Sequence, residues 1–267
     1  MRSVNQPCRP GRPLLYSNPE VLKLLTYNVL EGALPDRLPA VLRVIASADA
    51  DVVAIQEARY WRRSRREVFR AVSRHLGMRG VLAKANSGFD IAVFSRLPIL
   101  RYANHGLDTI FLHTTLSVEL PTPSGETLTL FVTHLRPDYP SRRREMRLLL
   151  EWMRPYRRAH CAMCGDLNSV MAGDPIDRHR IWQDSELREG PKGVIAAVER
   201  GGWEDCFRLR NPRAPGFTLG AGRRVARVDY IFASKPLAGA LKACRVLRYP
   251  ELLAASDHSP IWAEFDI

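Results

Sequence analysis

Short apolar runs alternate with amphipathic helical stripes along this chain, and several of the runs end in a carboxylate, an amide or an imidazole. That alternation is the strongest constraint on its fold, because strands that alternate with helices build layered α/β domains. Residues 21–29 form an apolar run suited to a strand. Leu38, Val41, Leu42 and Ile45 then recur at i, i+3, i+4 and i+7, the stripe of an amphipathic helix. Residues 52–55 read as the next strand, followed by Gln56 and Glu57. Ser64 and Glu67 have capping-box spacing ahead of Val68, Phe69, Val72 and Leu76, which predicts a second helix. Further strands are expected at 91–95, 116–120, 128–133, 160–164, 228–232 and 261–265. Met146, Leu149, Leu150 and Met153 mark a third helix, expected to begin near Ser141.

The 267 residues fit one large domain or two small ones, and the absence of a low-complexity linker or repeat after Val21 favours one domain over 21–267. Residues 1–20, with Pro7, Pro10, Pro13, Pro19 and three arginines, read as a flexible basic arm, since such a composition cannot repay the entropy of folding. At 46% apolar and 25% charged residues the chain is not disordered, and 17 glycines exclude a collagen-like one. The net charge of +12 favours polyanionic partners such as nucleic acid or an anionic membrane. GC-rich coding would produce the same skew, with 35 arginines and five lysines. Five cysteines do not form a disulfide framework and point to a reducing compartment. The first 25 residues lack a signal-peptide apolar run, and no stretch approaches 18 apolar residues, so a soluble, cytoplasmic protein is expected.

The polar residues at the strand ends carry the functional signal. Asn28 follows the first strand, Glu57 the second, and His134 the strand at 128–133. Asp166 and Asn168 follow the strand at 160–164, Asp229 sits inside the strand at 228–232, and Asp257 with His258 precedes the last strand. Groups beyond strand ends are where ligands bind on open sheets. Taken singly, each has a plain alternative as a helix cap or turn residue. The joint pattern is much harder to obtain by chance.

Together the segments "LTYNVL", "VVAIQE", "GFDIAVFSRLPI", "FVTHL", "GDLN", "VDYIF" and "SDHSPI" resemble, in order, the motifs of the endonuclease/exonuclease/phosphatase superfamily of metal-dependent phosphoesterases, over about residues 22–267. The resemblance implies an α/β fold, a four-layer α/β/β/α sandwich of two mixed sheets with helices outside. It also implies that Asp166 orients or deprotonates the attacking water, that Asn168 and His134 donate to the phosphoryl oxygens, and that His258, held by Asp229, stabilises the charged transition state. The residue chemistry agrees. Phosphoester hydrolysis needs a cation, a base for water and donors for the developing charge. Carboxylates with an amide are hard ligands suited to Mg²⁺ or Mn²⁺, with Glu57 the first choice and Asn28 and Asp257 beside it.

Where the abasic-site endonuclease branch has Tyr, this chain has His134 in "TH", which looks more like the branches of DNase I, neutral sphingomyelinase, the inositol phosphatases and the deadenylases. Without a signal peptide, disulfides or a membrane anchor, the leading expectation is an intracellular nuclease or nucleotide phosphodiesterase. An inositol-phosphate or phospholipid phosphoesterase comes second, and a catalytically dead nucleic-acid-binding relative third. Arg142, Arg143 and Arg144 would be cations in a first helical turn, against the helix dipole, which marks them as a candidate tether for substrate phosphates. Phe217 in "PGFTLG" resembles a family loop near the substrate. The Cys161 and Cys164 pair should lie on opposite faces of a strand. His105 and His113 read as structurally satisfied or exposed, and Trp61, Trp152, Trp203 and Trp262 as packing residues.

Overall fold

The computed structural model describes residues 21–34, 36–107, 109–122, 124–180 and 193–267, so the expected arm at 1–20 lies outside the described residues. Six strands form the first sheet: β1 (Val21–Asn28), β2 (Val52–Gln56), β3 (Arg79–Ala83), β4 (Ile91–Ser95), β11 (Leu241–Val246) and β12 (Ile261–Asp266), in the order β11-β12-β1-β2-β4-β3. The second sheet holds β5 (Arg101–Asn104), β6 (Thr115–Pro121), β7 (Thr127–His134), β8 (Cys161–Asp166), β9 (Glu204–Asp205) and β10 (Asp229–Ala233), in the order β5-β6-β7-β8-β10-β9. Each sheet is mixed: β1 with β2 and β7 with β8 are parallel, and the other pairs are antiparallel.

The period of two along each strand sorts its side chains between two cores. Leu22, Leu24, Val52, Ala54, Ile91 and Val93 of the first sheet meet Leu116, Val118, Leu130, Val132, Ala162 and Cys164 of the second in one buried cluster between the sheets. The opposite face of the first sheet packs on α1 (Leu38–Ser47), α2 (Glu67–Leu76) and α7 (Leu252–Ala255), through Val41, Ile45, Phe69, Val72 and Leu252. The opposite face of the second sheet packs on α3 (Tyr139–Met153) and α4 (Val194–Arg200), through Met146, Leu149, Val194 and Val198. Two short helices, α5 (Cys206–Arg210) and α6 (Lys235–Gly239), flank β10. The result is the expected four-layer α/β/β/α sandwich. Cys161 and Cys164 fall in different cores, as strand geometry requires, and Trp61, Trp203 and Trp262 are buried. No helix of the described residues is long and apolar enough to cross a membrane.

Three local expectations are corrected. The capping box does not form: Ser64, Arg65 and Arg66 are all left-handed, with φ of 47°, 54° and 64°, and α2 starts at Glu67 without a side-chain cap. Asp229 opens β10 rather than sitting inside a strand, because β10 runs antiparallel to β8 and so starts at the end where β8 stops. α3 starts at Tyr139, not Ser141, with Asp138 as its cap, its carboxylate accepting from Ser141 N at 3.3 Å. Arg142, Arg143 and Arg144 therefore occupy its second turn. Arg142 is 2% exposed, and its Nη1 donates to the carbonyls of Pro137 and Arg136. It is a buried brace for the loop before α3 and not a solvent-facing tether.

Candidate active site

The face of each central strand that feeds the inter-sheet core also feeds the candidate site. On β1 the inward positions 22, 24 and 26 lead to Asn28, on β7 the inward 128, 130 and 132 lead to His134, and on β8 the inward 162 and 164 lead to Asp166. Across the second sheet, His134 pairs in register with Asp166, and Asp166 with Asp229. Three polar residues thus stand in one row where the apolar core ends. All three are buried, at 4%, 2% and 2% exposure.

Gly165 sets the closeness of this row. Its φ is +133°, and a Cβ there would lie 1.9 Å from the carbonyl oxygen of Thr133, so only glycine lets β8 approach β7 immediately before Asp166. Glu57 is also conformationally unusual. It has φ of +58°, a costly conformation for a residue with a side chain, and its carbonyl accepts from Gly32 N at 2.7 Å.

Hydrogen bonds join the two sheets here. Asn28 Nδ2 donates to Glu57 Oε1 and to Asp166 Oδ2, both at 3.1 Å, while its Oδ1 accepts from Leu30 N. Glu57 Oε2 accepts from Glu31 N at 2.8 Å. Asp166 Oδ1 accepts from Asn168 N at 2.8 Å. Asn168, left-handed at φ of 46°, donates its amide to Leu135 O at 2.8 Å and to His134 Nε2 at 3.3 Å. His258 and Asp229 form the pair expected of them, with Nδ1 to Oδ2 at 2.8 Å, and His258 Nε2 lies 3.9 Å from oxygens of both Asp166 and Asp257.

The charge balance follows from this crowding. Burial disfavours a charged imidazole at His258, but the charge and hydrogen bond of Asp229, with Asp166 and Asp257 beyond, outweigh it and hold the ring well above the usual histidine range. Burial and the Asp229 charge push Asp166 up, against the pull of His258. Burial, then His113 and His258, hold His134 well below the ordinary range, so it is neutral. Its Nε2 lies 3.3 Å from Asn168 Nδ2 and 3.6 Å from Asp166 Oδ2, and its Nδ1 is a buried atom without a hydrogen-bond partner among the described residues.

The site fits a hard divalent cation. Asp229 Oδ1 and Asp257 Oδ1 are buried without a hydrogen-bond partner among the described residues, and the carboxylates of Glu57, Asp166, Asp229 and Asp257 converge on one end of the sandwich with one imidazolium among them. Oxygen donors in that excess are the chemistry of Mg²⁺ or Mn²⁺. Asp166, Asp229 and His258 bring ligand atoms within 4.8 Å of one another. The hydrogen bond between His258 Nδ1 and Asp229 nevertheless marks that imidazole as the carboxylate's partner. Of the expected ligands, Asp257 keeps an oxygen without a hydrogen bond among the described residues, whereas Asn28 Oδ1 and both Glu57 oxygens accept from Leu30 N, Asn28 Nδ2 and Glu31 N and would exchange or share those bonds on binding a cation.

Several neighbours gave no clear signal in the sequence. His113, set aside on sequence, stacks on His134 with ring centroids 4.0 Å apart and planes 11° apart, and its Nδ1 meets Ser87 Oγ at 2.7 Å. Thr218 Oγ1 accepts from Val228 N and Asp229 N, and Thr218 O accepts from Ser259 N at 2.7 Å, so the "PGFTLG" loop ties Asp229 to the His258 segment. Half-buried Phe217 precedes that clamp. His105 is satisfied away from the row by Ser117 Oγ at 2.7 Å.

Glu145 of α3 is fully buried and accepts from Leu112 N at 2.9 Å and Arg136 N at 2.8 Å, bridging the segments that present His113 and His134. Burial pushes its carboxyl up to about 7, against the two backbone donors. A carboxyl raised on folding stabilises the fold fully below its unfolded value near 4.5 and loses that contribution as pH rises through about 7. Relative to Glu145→Gln, the wild type should therefore lose up to ~3 kcal/mol between about pH 4.5 and 8. Urea titrations of both proteins across that range measure it, and parallel pH profiles would show Glu145 ionised throughout.

Comparison with known proteins places this geometry. The family model described as the Endonuclease/Exonuclease/phosphatase family matches residues 25–258. No curated protein matches the chain. Among solved structures, a 3' phosphatase, NExo, from Neisseria bound to product DNA hairpin superposes with a TM-score of 0.70 at 22% identity, covering 92% of this chain and 100% of that one. An AP endonuclease from Archaeoglobus fulgidus gives 0.68 at 22% identity, with 92% and 100% covered. An endonuclease/exonuclease/phosphatase from Beutenbergia cavernae gives 0.69 at 19% identity, with 93% and 72% covered. These structures share the sandwich. With the family model spanning nearly the whole described chain, the protein belongs to the endonuclease/exonuclease/phosphatase family.

Proposed function

We propose that this protein is a divalent-metal-dependent phosphodiesterase acting on nucleic acid or nucleotides. The row of His134, Asp166 and Asp229 across three strands, closed by His258 and joined through Asn28 to Glu57, carries the reading. Asn28, Glu57 and Asp257 would hold Mg²⁺ or Mn²⁺, which neutralises phosphoryl charge and polarises the ester. Asp166 can take the proton of an attacking water, and a cation held beside it would favour its ionised form. The His258 imidazolium, fixed by Asp229, faces the charge that grows on the phosphoryl oxygens. Asn168 can turn its amide proton from His134 to the same oxygens. The net charge of +12 and the DNA-acting names of the Neisseria and Archaeoglobus structures favour a polynucleotide over inositol phosphates or phospholipids.

The deciding measurement is a substrate panel of supercoiled and single-stranded DNA, RNA, bis-p-nitrophenyl phosphate, inositol phosphates and sphingomyelin, each with Mg²⁺, Mn²⁺ or EDTA. Metal-dependent cleavage of a polynucleotide is expected, and Glu57→Gln should remove most of it. Hydrolysis of inositol phosphates or sphingomyelin alone would move the protein to the second reading. Full activity of metal-free protein in EDTA would remove the cation from the mechanism.

A further inference from the structure

In the outer helical layer on the second sheet, α3 and α4 frame a groove of about 590 Å³. Arg143, Arg147, Arg154 and Arg157, from α3 and the turn that follows it, and Arg200, from α4, line it, against one carboxylate, Glu151, among the described lining residues. All five arginines are exposed, and no ion pair among the described residues engages any of them. The floor is apolar, made by Met146, Leu150 and Trp203. Positions 143, 147, 151 and 154 fall at i, i+4, i+8 and i+11, one stripe along α3. Arg143 and Arg147 form a like-charge i, i+4 pair, which costs an isolated helix about 0.2–0.5 kcal/mol. A composition rich in arginine accounts for scattered guanidinium groups, not for five converging on one concavity.

We propose that this groove is a binding track for single-stranded nucleic acid that continues from the catalytic site. The inference rests on the reading that the site takes a polynucleotide. Asp138, four residues after His134, caps α3, so the Arg143 end of the stripe lies toward the catalytic end of the sandwich and the Arg154 end away from it. Eleven residues of helix place Arg143 and Arg154 roughly 16 Å apart. That length spans about five nucleotides at roughly 3.4 Å rise per nucleotide in a stacked strand. Guanidinium walls suit phosphates, and an apolar floor suits base faces. A groove of this volume is in the range that takes a drug-sized ligand, about 300–1,000 Å³. A duplex keeps its base faces stacked inside and would have no use for an apolar floor, whereas a single strand can lay its bases on it. Its apolar floor is recessed behind charged walls, so a flat bilayer would not reach it. The track would make binding depend on strand length without touching the chemical step.

The test is fluorescence anisotropy in EDTA with 2-nucleotide and 20-nucleotide oligothymidylates, comparing wild type with R147Q/R154Q/R157Q. The wild type should bind the longer strand much more tightly. The variant should weaken that complex at least tenfold, reduce its salt slope by about 2 for three lost phosphate contacts, and leave the dinucleotide, which is too short to follow the track, unchanged. Turnover of bis-p-nitrophenyl phosphate and the urea midpoint should not move. Protection of the 143–157 backbone from hydrogen exchange by the 20-mer gives a second readout that needs no variant. Equal affinity and salt slope in the two proteins, or no protection of that segment, would overturn the track. Loss of binding to phosphatidylserine vesicles with oligonucleotide binding intact would also overturn it, giving the groove to an anionic surface. Binding is read without catalysis, so a protein that binds the 20-mer through the groove but cleaves no polynucleotide would refute the proposed activity while keeping the track.

Discussion

Asp166→Asn is expected to lower kcat/KM on the best polynucleotide by roughly 10²–10⁴-fold, with KM nearly unchanged, the range for removing a positioned acid or base. The substitution keeps the shape and the hydrogen bond from Asn168 N but removes the oxygen that can take the proton of water. His258→Ala should cost a similar factor, because it deletes the cation facing the phosphoryl oxygens. Asp229→Asn should cost less. Its carboxylate reaches His258 Nδ1 at 2.8 Å and acts through that ring. Asp229 is nevertheless buried and in register with Asp166, and its negative charge raises both His258 and Asp166. Removing it should lower the pH above which His258 loses its charge, so kcat of Asp229→Asn should fall on the alkaline side earlier than in the wild type. Steady-state kinetics of the three variants across pH decides the ordering. A larger loss for Asp229→Asn than for Asp166→Asn would exchange their roles.

Much of this site was legible because strand periodicity and strand ends are local properties. Asn28, His134 and Asp166 each continue an inward-facing apolar alternation, so the residues that make the core also aim the site. The elements that escaped are those whose formation depends on neighbours. β3, β5 and β11 carry Arg79, Arg101, Lys242 and Arg245 within short strands at sheet edges, where charge discourages further pairing and dilutes the apolar signal. The capping box failed because three consecutive left-handed residues redirect the chain before α2, which the spacing of Ser64 and Glu67 does not reveal. Arg142 departs from the expectation for a related reason. The sequence shows three adjacent arginines, but the helix starts two residues earlier than expected and turns the first of them inward. His113 and Glu145 reach the site region through contacts 21 and 33 residues away in sequence, with His134 and Leu112. No local pattern encodes such contacts.

Arg227→Met is expected to destabilise the fold by about 3–5 kcal/mol, the cost of breaking a buried ion pair from one side. Arg227 is wholly buried. Its Nε donates to Asp174 Oδ2 at 2.7 Å and its Nη1 to Asp205 Oδ2 at 2.6 Å, and its guanidinium lies 4.5 Å from the centroid of the Tyr230 ring. Arg208 also reaches Asp174, through Nη2 at 2.5 Å, but its side chain is partly exposed, and it meets Asp205 through its backbone N–H, which donates to Oδ1 at 3.2 Å, and not through its guanidinium. Methionine matches the stem of Arg227 and supplies no donor, so Asp205 loses its ion-pair partner in the interior and Asp174 keeps only the more exposed one. Lysine restores a charge but cannot reproduce a fork that serves two carboxylates, so Arg227→Lys should recover only part of the loss. The triple variant D174N/D205N/R227M separates two causes. If the penalty comes from stranded carboxylates, neutralising both should return most of the stability, because a buried ionic network is often no more stable than its uncharged replacement. Should the triple variant stay as unstable as Arg227→Met, the loss would instead lie in packing against Phe207 and Tyr230. For a chain of this size the single substitution should lower Tm by roughly 6–20 °C. Because Arg227 lies two residues before Asp229, activity should be lost at a lower urea concentration in the variant than in the wild type. A change in unfolding free energy below about 1 kcal/mol would show that the network contributes little.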